Sequence, residues 1–159
     1  MFVSEYGGND RVSVFSPQGE FLLSFGSPGE GAGQFSRPAS LCVDGPRGRL
    51  YVADACNHRI VVYDLAGVRQ GELGGLGSGP GQLRYPYGLA LASDGRLVVC
   101  EYGNNRLQVF GPDGRPLRLL GGPGRAPGQL AYPWDVAVDG RDRAYVVDAG
   151  NNRVQVWDF

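Results

Sequence analysis

The chain has 159 residues, of which 15 are Lys or Arg and 16 are Asp or Glu, so its formal net charge is −1. That balance gives no overall attraction to nucleic acid or to an anionic membrane. No apolar stretch reaches the roughly 18 residues that a membrane-spanning helix requires. Gly (27) and Pro (11) are frequent, but 42% of the residues are hydrophobic, which disordered chains rarely reach. The composition indicates short strands separated by turns.

Targeting and cysteine signals are weak. The first residues lack a basic region followed by an apolar core, so we expect no signal peptide and take the cytoplasm as the default compartment. The three cysteines, Cys42, Cys56 and Cys100, are odd in number and have no C-x-x-C spacing. They therefore indicate neither a disulfide framework nor a zinc site.

Four related segments recur along the chain, at residues 2–15, 51–63, 98–110 and 145–157. Their equivalent arginines are 48, 47 and 47 residues apart. A second block, Gly-Gln-(Phe/Leu) followed three residues later by Pro, recurs between them at 33–38, 81–86 and 128–133. A period in the forties is typical of propeller blades built from four antiparallel strands.

In chain order, the repeat predicts a single segment covering residues 1–159. A partial unit at 1–25 opens inside its second strand, complete units follow at about 38–73 and 86–120, and a partial unit at about 133–159 ends after its third strand. In the third unit we expect strands at 88–91, 97–101, 106–110 and 117–120. The turns between them contain Asn-Asn and Asp-Gly pairs, which tolerate a positive φ.

The predicted strand at 106–110 has an alternating pattern. Leu107 and Val109 are apolar, whereas Arg106 and Gln108 are polar. This alternation predicts a half-buried strand with one face in the core and one face in water.

The segment Asp54-Ala55-Cys56-Asn57-His58-Arg59-Ile60, with its counterparts at 101–107 and 148–154, resembles the core motif of the NHL repeat. The resemblance implies an all-β fold, an NHL-type β-propeller with four-stranded antiparallel blades and usually six blades per ring. This chain supplies about three and a half blades. We therefore expect either part of a longer six-bladed ring or a homo-oligomer in which copies complete the ring.

A finer pattern lies within the repeat. The first and third units contain Glu-Tyr-Gly at Glu5-Tyr6-Gly7 and Glu101-Tyr102-Gly103, whereas the second and fourth contain Asp-Ala at Asp54-Ala55 and Asp148-Ala149. This predicts aromatic and small residues alternating around one rim.

Each unit also has a carboxylate followed five or six residues later by an arginine. The pairs are Glu5 and Arg11, Asp54 and Arg59, Glu101 and Arg106, and Asp148 and Arg153. A catalytic group is normally needed once, whereas these pairs occur in every unit. We interpret them as structural ion pairs that fix the turn, and we predict no catalytic residue.

His58 is the only histidine. The resemblance extends to NHL-like amidating lyases, which use several metal-site histidines, and this sequence has no set of positions to receive them. We therefore predict no metal site and no cofactor. A metal-dependent lyase, or a hydrolase, acting at the central channel remains the enzymatic alternative.

The candidate binding residues are aromatic side chains, arginines and the histidine at one end of the blades. In an antiparallel meander, the loop from the second to the third strand and the linker into the first strand lie at the same end. That end collects Tyr6, Arg37, His58, Arg84, Tyr85, Tyr87, Tyr102, Tyr132 and Trp134. Tyr, Trp and Arg are enriched in binding hot spots. The alternative is that the Pro-adjacent aromatics simply pack between blades.

These features predict a non-catalytic interaction or scaffold module that presents one propeller face to a partner. A protein or peptide is the preferred partner, and a polysaccharide is possible. RNA is a further alternative because Arg37 and Arg84 lie beside aromatic residues that can stack on bases. The balanced net charge disfavours RNA.

Overall fold

A computed structural model describes residues 1–158, and within them fourteen strands form four antiparallel sheets. Blade 1 has β1 (Phe2–Glu5), β2 (Arg11–Phe15) and β3 (Phe21–Phe25), and blade 2 has β4 (Pro38–Asp44), β5 (Arg49–Asp54), β6 (Arg59–Asp64) and β7 (Arg69–Gly74). Blade 3 has β8 (Pro86–Leu91), β9 (Leu97–Glu101), β10 (Arg106–Phe110) and β11 (Pro116–Gly121), and blade 4 has β12 (Asp135–Val138), β13 (Arg143–Asp148) and β14 (Arg153–Asp158). The predicted all-β fold with four-stranded antiparallel units is confirmed.

The blades stand side by side. The first strands of blades 2, 3 and 4 are neighbours, and β1, which is the second strand of the repeat in the partial blade 1, lies next to β4. Strand β4 contacts both β1 and β8, and β8 also contacts β12. Polar contacts join these inner strands, because the Ser4 hydroxyl donates to the Ala39 carbonyl and the Ser40 hydroxyl accepts from the Leu89 N–H. The turns from second to third strands therefore gather at one end of the structure, which we call the rim.

Aromatic and small residues alternate along the rim. Blades 2 and 4 have a 3₁₀ turn after the second strand, at Ala55–Asn57 and Ala149–Asn151. Blades 1 and 3 have Tyr6 and Tyr102 at the equivalent place, and Tyr6 is 60% exposed.

The hydrophobic core is divided into three clusters, each between two neighbouring blades. The cluster between blades 2 and 3, for example, contains Ile60, Val62, Leu97 and Phe110. Each complete blade thus buries apolar side chains on both faces, and it needs a neighbour on each side to do so.

The linkers between blades explain the repeated Gly-Gln-(Phe/Leu) block. Phe35, Leu83 and Leu130 are completely buried, and burial of such a side chain contributes about 1.5–3 kcal/mol. The Gln82 side-chain oxygen folds back to accept the Gly79 N–H at 2.9 Å. Gly74 has a φ of +105°, and a Cβ there would lie 2.6 Å from Leu83 Cδ1. The repeated block therefore holds the linker in place and packs its large apolar side chain between two neighbouring blades.

The prediction that strand 106–110 is half-buried is wrong. All five residues of β10 are buried, including Arg106 and Gln108. The Gln108 amide accepts the Gly81 N–H at 2.6 Å and donates to the Gln82 carbonyl at 2.9 Å. The polar face is buried because the linker entering blade 3 covers it and supplies hydrogen-bond partners for it.

No helix in the described part of the chain is long and apolar enough to cross a membrane.

Candidate functional site

The four carboxylate–arginine pairs face each other across the second and third strands of their blades. The Arg Nε to carboxylate oxygen distances are 3.1 Å for Arg11–Glu5, 2.8 Å for Arg59–Asp54, 2.6 Å for Arg106–Glu101 and 2.7 Å for Arg153–Asp148. In blades 2, 3 and 4 the carboxylate side chain is completely buried, whereas the Glu5 side chain in blade 1 is 28% exposed.

In blades 2, 3 and 4 these pairs bind the linker that enters the same blade. In blade 3, Arg106 donates to the carbonyls of Ser78, Gly79 and Gln82, and Glu101 accepts the Arg84 N–H. Asn104 completes the set by donating to the Gly77 carbonyl at 2.8 Å. The side chains of this motif therefore fasten the linker to the blade through its backbone groups.

The carboxylates differ in acidity because their surroundings differ. Hydrogen bonds from Arg11, Ser13 and Asn9 lower the pKa of Glu5 from 4.5 to about 2. Burial acts in the opposite direction on Asp148, but N–H donors from Ala131, Asn151, Arg153 and Gln155 still lower the pKa of its carboxyl below the usual value. Both groups are therefore ionised at neutral pH, as their ion pairs require.

A second repeated contact joins each blade to the next along the rim. The Arg37 N–H donates to Asp10 Oδ1 at 3.1 Å, and the Tyr85 N–H donates to His58 Nδ1 at 3.1 Å. Between blades 3 and 4, the Tyr132 N–H donates to Asn105 Oδ1 at 2.7 Å. We call these contacts rim latches, and each spans 27 residues of sequence.

The rim latches hold strained backbone. Arg37, Tyr85 and Tyr132 have φ values of +58°, +50° and +48°, which non-glycine residues rarely adopt. All three precede a buried proline. The rim latch and the packing of this proline together keep each residue in its unfavourable backbone conformation. Sequence reasoning missed Asp10 and Asn105 as latch residues. The recurring polar residue directly before each motif arginine was the available signal.

Six of the nine candidate binding residues come together at the rim, and we call them the rim cluster. Its members are Tyr6, Arg37, Tyr87, Tyr102, Tyr132 and Trp134. The Arg37 guanidinium carbon lies 5.3 Å from the Tyr6 ring centroid and 5.4 Å from that of Tyr87. The Tyr87 ring lies 4.8 Å from Trp134. All four blades contribute through their turns or linkers.

The other three candidates lie beside the rim cluster. His58 and Tyr85 form their own edge-to-face pair, with ring centroids 4.5 Å apart. Burial, followed by the Arg84 charge, lowers the pKa of His58, so the ring is neutral at pH 7 and can accept the Tyr85 N–H. Arg84 lines a separate cavity with Leu76 and Asn104.

The rim cluster surrounds a cavity of about 190 Å³. Its walls are Tyr6, Arg37, Tyr87 and Trp134, together with Ala39, Ser40 and Asp135. Sequence reasoning missed these last three residues, although each lies within three residues of Arg37 or Trp134. Trp134 is 47% exposed, whereas Tyr87 is 9% exposed and forms the floor.

One arginine, Arg37, and one carboxylate, Asp135, line this cavity. Among residues 1–158, the Arg37 guanidinium has aromatic neighbours but no carboxylate partner. Burial raises the pKa of Tyr87, although Arg37 opposes this, so its hydroxyl stays protonated at neutral pH. The site thus offers a guanidinium and exposed aromatic surface to a ligand.

The three cysteines differ in burial and acidity. Burial raises the pKa of Cys42 to about 11 and also raises the pKa of Cys100, so both thiols are protonated at neutral pH and are weak nucleophiles. Cys56 is exposed. Over residues 1–158, no group of three or more His, Cys, Asp or Glu side chains is arranged to hold a metal ion.

Comparisons with solved structures support the fold. The chain resembles an auxiliary nutrient binding protein from Bacteroides thetaiotaomicron, with a TM-score of 0.71 and 14% identity over 98% of this chain and 44% of that chain. It also resembles a chain from a nidogen/laminin complex, with a TM-score of 0.69 and 22% identity over 99% of this chain and 54% of that chain. A streptogramin B lyase has a TM-score of 0.64 and 17% identity, over 94% of this chain and 48% of that chain. These similarities confirm the propeller fold.

Sequence comparisons identify the repeat. Protein lin-41 of Caenorhabditis elegans is 40% identical over 58 residues, which are 36% of this chain and 5% of that protein. The chain thus spans a small part of lin-41 and about half of each similar solved chain. The NHL repeat model matches residues 35–63, 83–110 and 130–157, which together exceed half of the chain. The chain therefore belongs to the NHL-repeat family.

Proposed function

We propose that the chain is a non-catalytic recognition module whose rim cluster binds a protein or peptide partner. The observation that carries this proposal is the assembly, from four separate blades, of exposed aromatic rings around a guanidinium without a carboxylate partner. Aromatic side chains bring large contact areas at a low entropic cost, and with arginine they dominate binding hot spots.

The relatives support the same class of function. NHL-repeat propellers often act as protein-interaction modules, and one solved chain of the same fold lies in a complex of nidogen with laminin. The rim cluster gives this chain a surface suited to such a role. The cavity of about 190 Å³ is large enough for one or two peptide side chains but not for a large organic substrate.

The lyase alternative has less support from the chain's own chemistry. A streptogramin B lyase shares the fold at 17% identity, which carries no information about activity. Acid–base catalysis needs a titratable group within reach of the substrate. His58 already accepts a backbone N–H, and the motif carboxylates of blades 2, 3 and 4 accept N–H groups of the linkers.

A random peptide library displayed on phage, selected against the immobilised chain, tests the proposal. We expect an enriched consensus that binds the soluble chain. Trp134→Ala and Arg37→Gln should each weaken that binding by at least about tenfold, as loss of a hot-spot residue does. The matched control is Arg118→Gln, which alters an exposed arginine on the outer strand of blade 3.

Three outcomes would count against peptide recognition at the rim cluster. They are the absence of any enriched consensus, equal binding by Trp134→Ala, and an equal loss of binding in Arg118→Gln. A parallel titration with single-stranded RNA distinguishes the RNA alternative, because its affinity would fall steeply as salt is raised.

A further inference from the structure

A large cleft lies between blades 2 and 3, at the end of the molecule opposite the rim. It has a volume of about 540 Å³. Its walls include Arg47 and Gly48, in the turn from β4 to β5, and Pro112–Gly114, in the turn from β10 to β11. In an antiparallel meander these turns lie at the end away from the turn between second and third strands. This cleft is therefore separate from the rim cluster.

Gly71 lines this cleft and has no side chain, unlike its counterparts in blades 1 and 3. In strand pairing, Gly71 faces Val62, at the position that Leu23 occupies in blade 1 and Arg118 in blade 3. A Cβ built on Gly71 would meet no atom within 4 Å. Gly weakens a strand interior and often marks a place where a ligand approaches the backbone. Blade 2 thus lacks, beside the cleft, a side chain that the equivalent strands of blades 1 and 3 carry.

The floor of this cleft is apolar. Val62 and Leu73 line it, together with the buried ring of Tyr51, and all three belong to or pack against the core cluster between blades 2 and 3. A volume of about 540 Å³ lies within the range of about 300–1,000 Å³ that is typical of small-molecule sites.

The carboxylates that line the cleft accept hydrogen bonds, and Glu72 and Asp113 also pair with arginines. Asp64 accepts the N–H groups of Ala66 and Val68 and the Gln70 amide. Glu72 is bonded to Arg59 and Arg69. Two further side chains, Asp113 and Arg47, pair with Arg115 and Asp44.

Arg49 is different. Its Nη1 donates to the Pro112 carbonyl at 2.8 Å, and among residues 1–158 it has no carboxylate within ion-pair distance. A guanidinium has five N–H donors in a planar fork that matches a carboxylate. Asp64, Glu72 and Asp113 also line the cleft, and Arg49 lies opposite Asp64 in the strand pairing. The Arg49 guanidinium nevertheless has N–H donors left for a ligand, next to the apolar side chains of Val62 and Leu73.

We propose that this cleft binds a small organic acid, with its apolar body on Val62 and Leu73 and its carboxylate at Arg49. The class of ligand is a short aliphatic or aromatic carboxylate. Binding at this site is independent of the partner-binding role of the rim cluster.

Titration of the ¹⁵N-labelled chain with hexanoate, 1-hexanol and hexylammonium, followed by amide chemical shifts, tests this proposal. The probes share one apolar body and differ only in the head group. We expect hexanoate to shift the amides of Gly71, Leu73 and Gly114. Hexanol should bind at least about tenfold more weakly, because it lacks the charge-assisted hydrogen bond. Hexylammonium should bind most weakly.

Two variants locate the site. Gly71→Leu restores the side chain found at Leu23 and fills open space, so it should abolish hexanoate binding without lowering the unfolding temperature. Arg49→Gln should reduce hexanoate affinity to that of hexanol and leave hexanol affinity unchanged. The control Arg118→Gln removes an arginine in blade 3, at the position equivalent to Gly71, and should change the affinity for neither probe.

Hexanoate shifts that map elsewhere, or hexanoate binding that survives in Gly71→Leu, would overturn the site. Equal affinities for hexanoate and hexanol would overturn the assignment of an acid as its ligand.

Discussion

Position 58 shows how a single residue type changes a repeated contact. The equivalent latch residues Asp10 and Asn105 accept through an oxygen, whereas His58 accepts through Nδ1, which is an acceptor only when the ring is neutral. Burial, with the Arg84 charge, lowers the pKa of His58 below 6.5, so the folded state favours the neutral ring. This latch alone among the three depends on the titration of a histidine.

The lowered pKa of His58 makes the stability of the folded chain depend on pH. An unfolded chain with a histidine pKa near 6.5 binds more protons than the folded chain in this range, so stability falls as pH falls below about 6.5. We expect the unfolding midpoint to drop between pH 7 and pH 5, by roughly 2–4 °C for each kcal/mol lost. Part of that drop should disappear in His58→Asn, which keeps an acceptor that does not titrate.

Calorimetry of both proteins at pH 5, 6 and 7 measures this difference. Asn is the natural control because Asn105 makes the same latch at 2.7 Å. Identical pH profiles for the two proteins would show that the latch at His58 is not proton-linked.

The carboxylate–arginine pair has different surroundings in different blades. Glu101 and Arg106 are buried and bonded to a linker, whereas Glu5 and Arg11 are 28% and 41% exposed. Removing one partner of a buried pair leaves an uncompensated charge, which costs about 3–5 kcal/mol. An exposed pair contributes about 0–1 kcal/mol.

We therefore expect Arg106→Gln to lower the free energy of unfolding by about 3 kcal/mol or more, and Arg11→Gln by less than about 1 kcal/mol. Urea denaturation followed by tryptophan fluorescence measures both. The two variants make the same chemical change at equivalent positions, so equal losses would show that linker binding adds nothing to the motif.

The strands themselves were largely predictable. The sequence placed strands in blade 3 at 88–91, 97–101, 106–110 and 117–120, and the structure has them at 86–91, 97–101, 106–110 and 116–121. The agreement is close because turn residues and alternating apolar residues act over a few neighbouring positions. The burial of β10 was not predictable in this way, because a linker more than twenty residues upstream covers its polar face.

On the scale of the molecule, the two outer faces of the four-blade array expose apolar side chains. On blade 4, Val154 and Val156 are 60% and 53% exposed, and on blade 1, Phe21 and Leu22 are 59% and 57% exposed. Inner blades bury such residues against a neighbour. Exposed apolar sheet faces and unpaired edge strands promote association.

We expect the 159-residue chain to associate at high concentration, with a mass above 17.0 kDa by light scattering after size-exclusion chromatography. The double change Val154→Lys with Val156→Lys should return the mass toward that of one chain. Val68→Lys, at an equally exposed valine in the turn after β6, should have no effect. A single-chain mass for the unaltered protein at every concentration would contradict this expectation.

The rim cluster was predictable only in outline. The sequence located nine candidate residues at one end of the blades, since an antiparallel meander brings alternate turns to the same side. It did not show that Tyr87 is buried beneath Trp134 while Tyr6 remains exposed. These differences depend on how neighbouring blades are rotated and packed, and no local pattern records that.

The amino-acid sequence by itself determined the repeat, the strands, the turns and the end of the blades at which functional residues collect, because each of these depends on short-range spacing. The tertiary structure decided which polar residues are buried, which residues latch one blade to the next, and that Gly71 opens a cleft beside Arg49. Those properties arise between segments that are distant in sequence, 26 residues apart for Gln82 and Gln108 and 27 residues apart at each rim latch, and they form only when the blades stack.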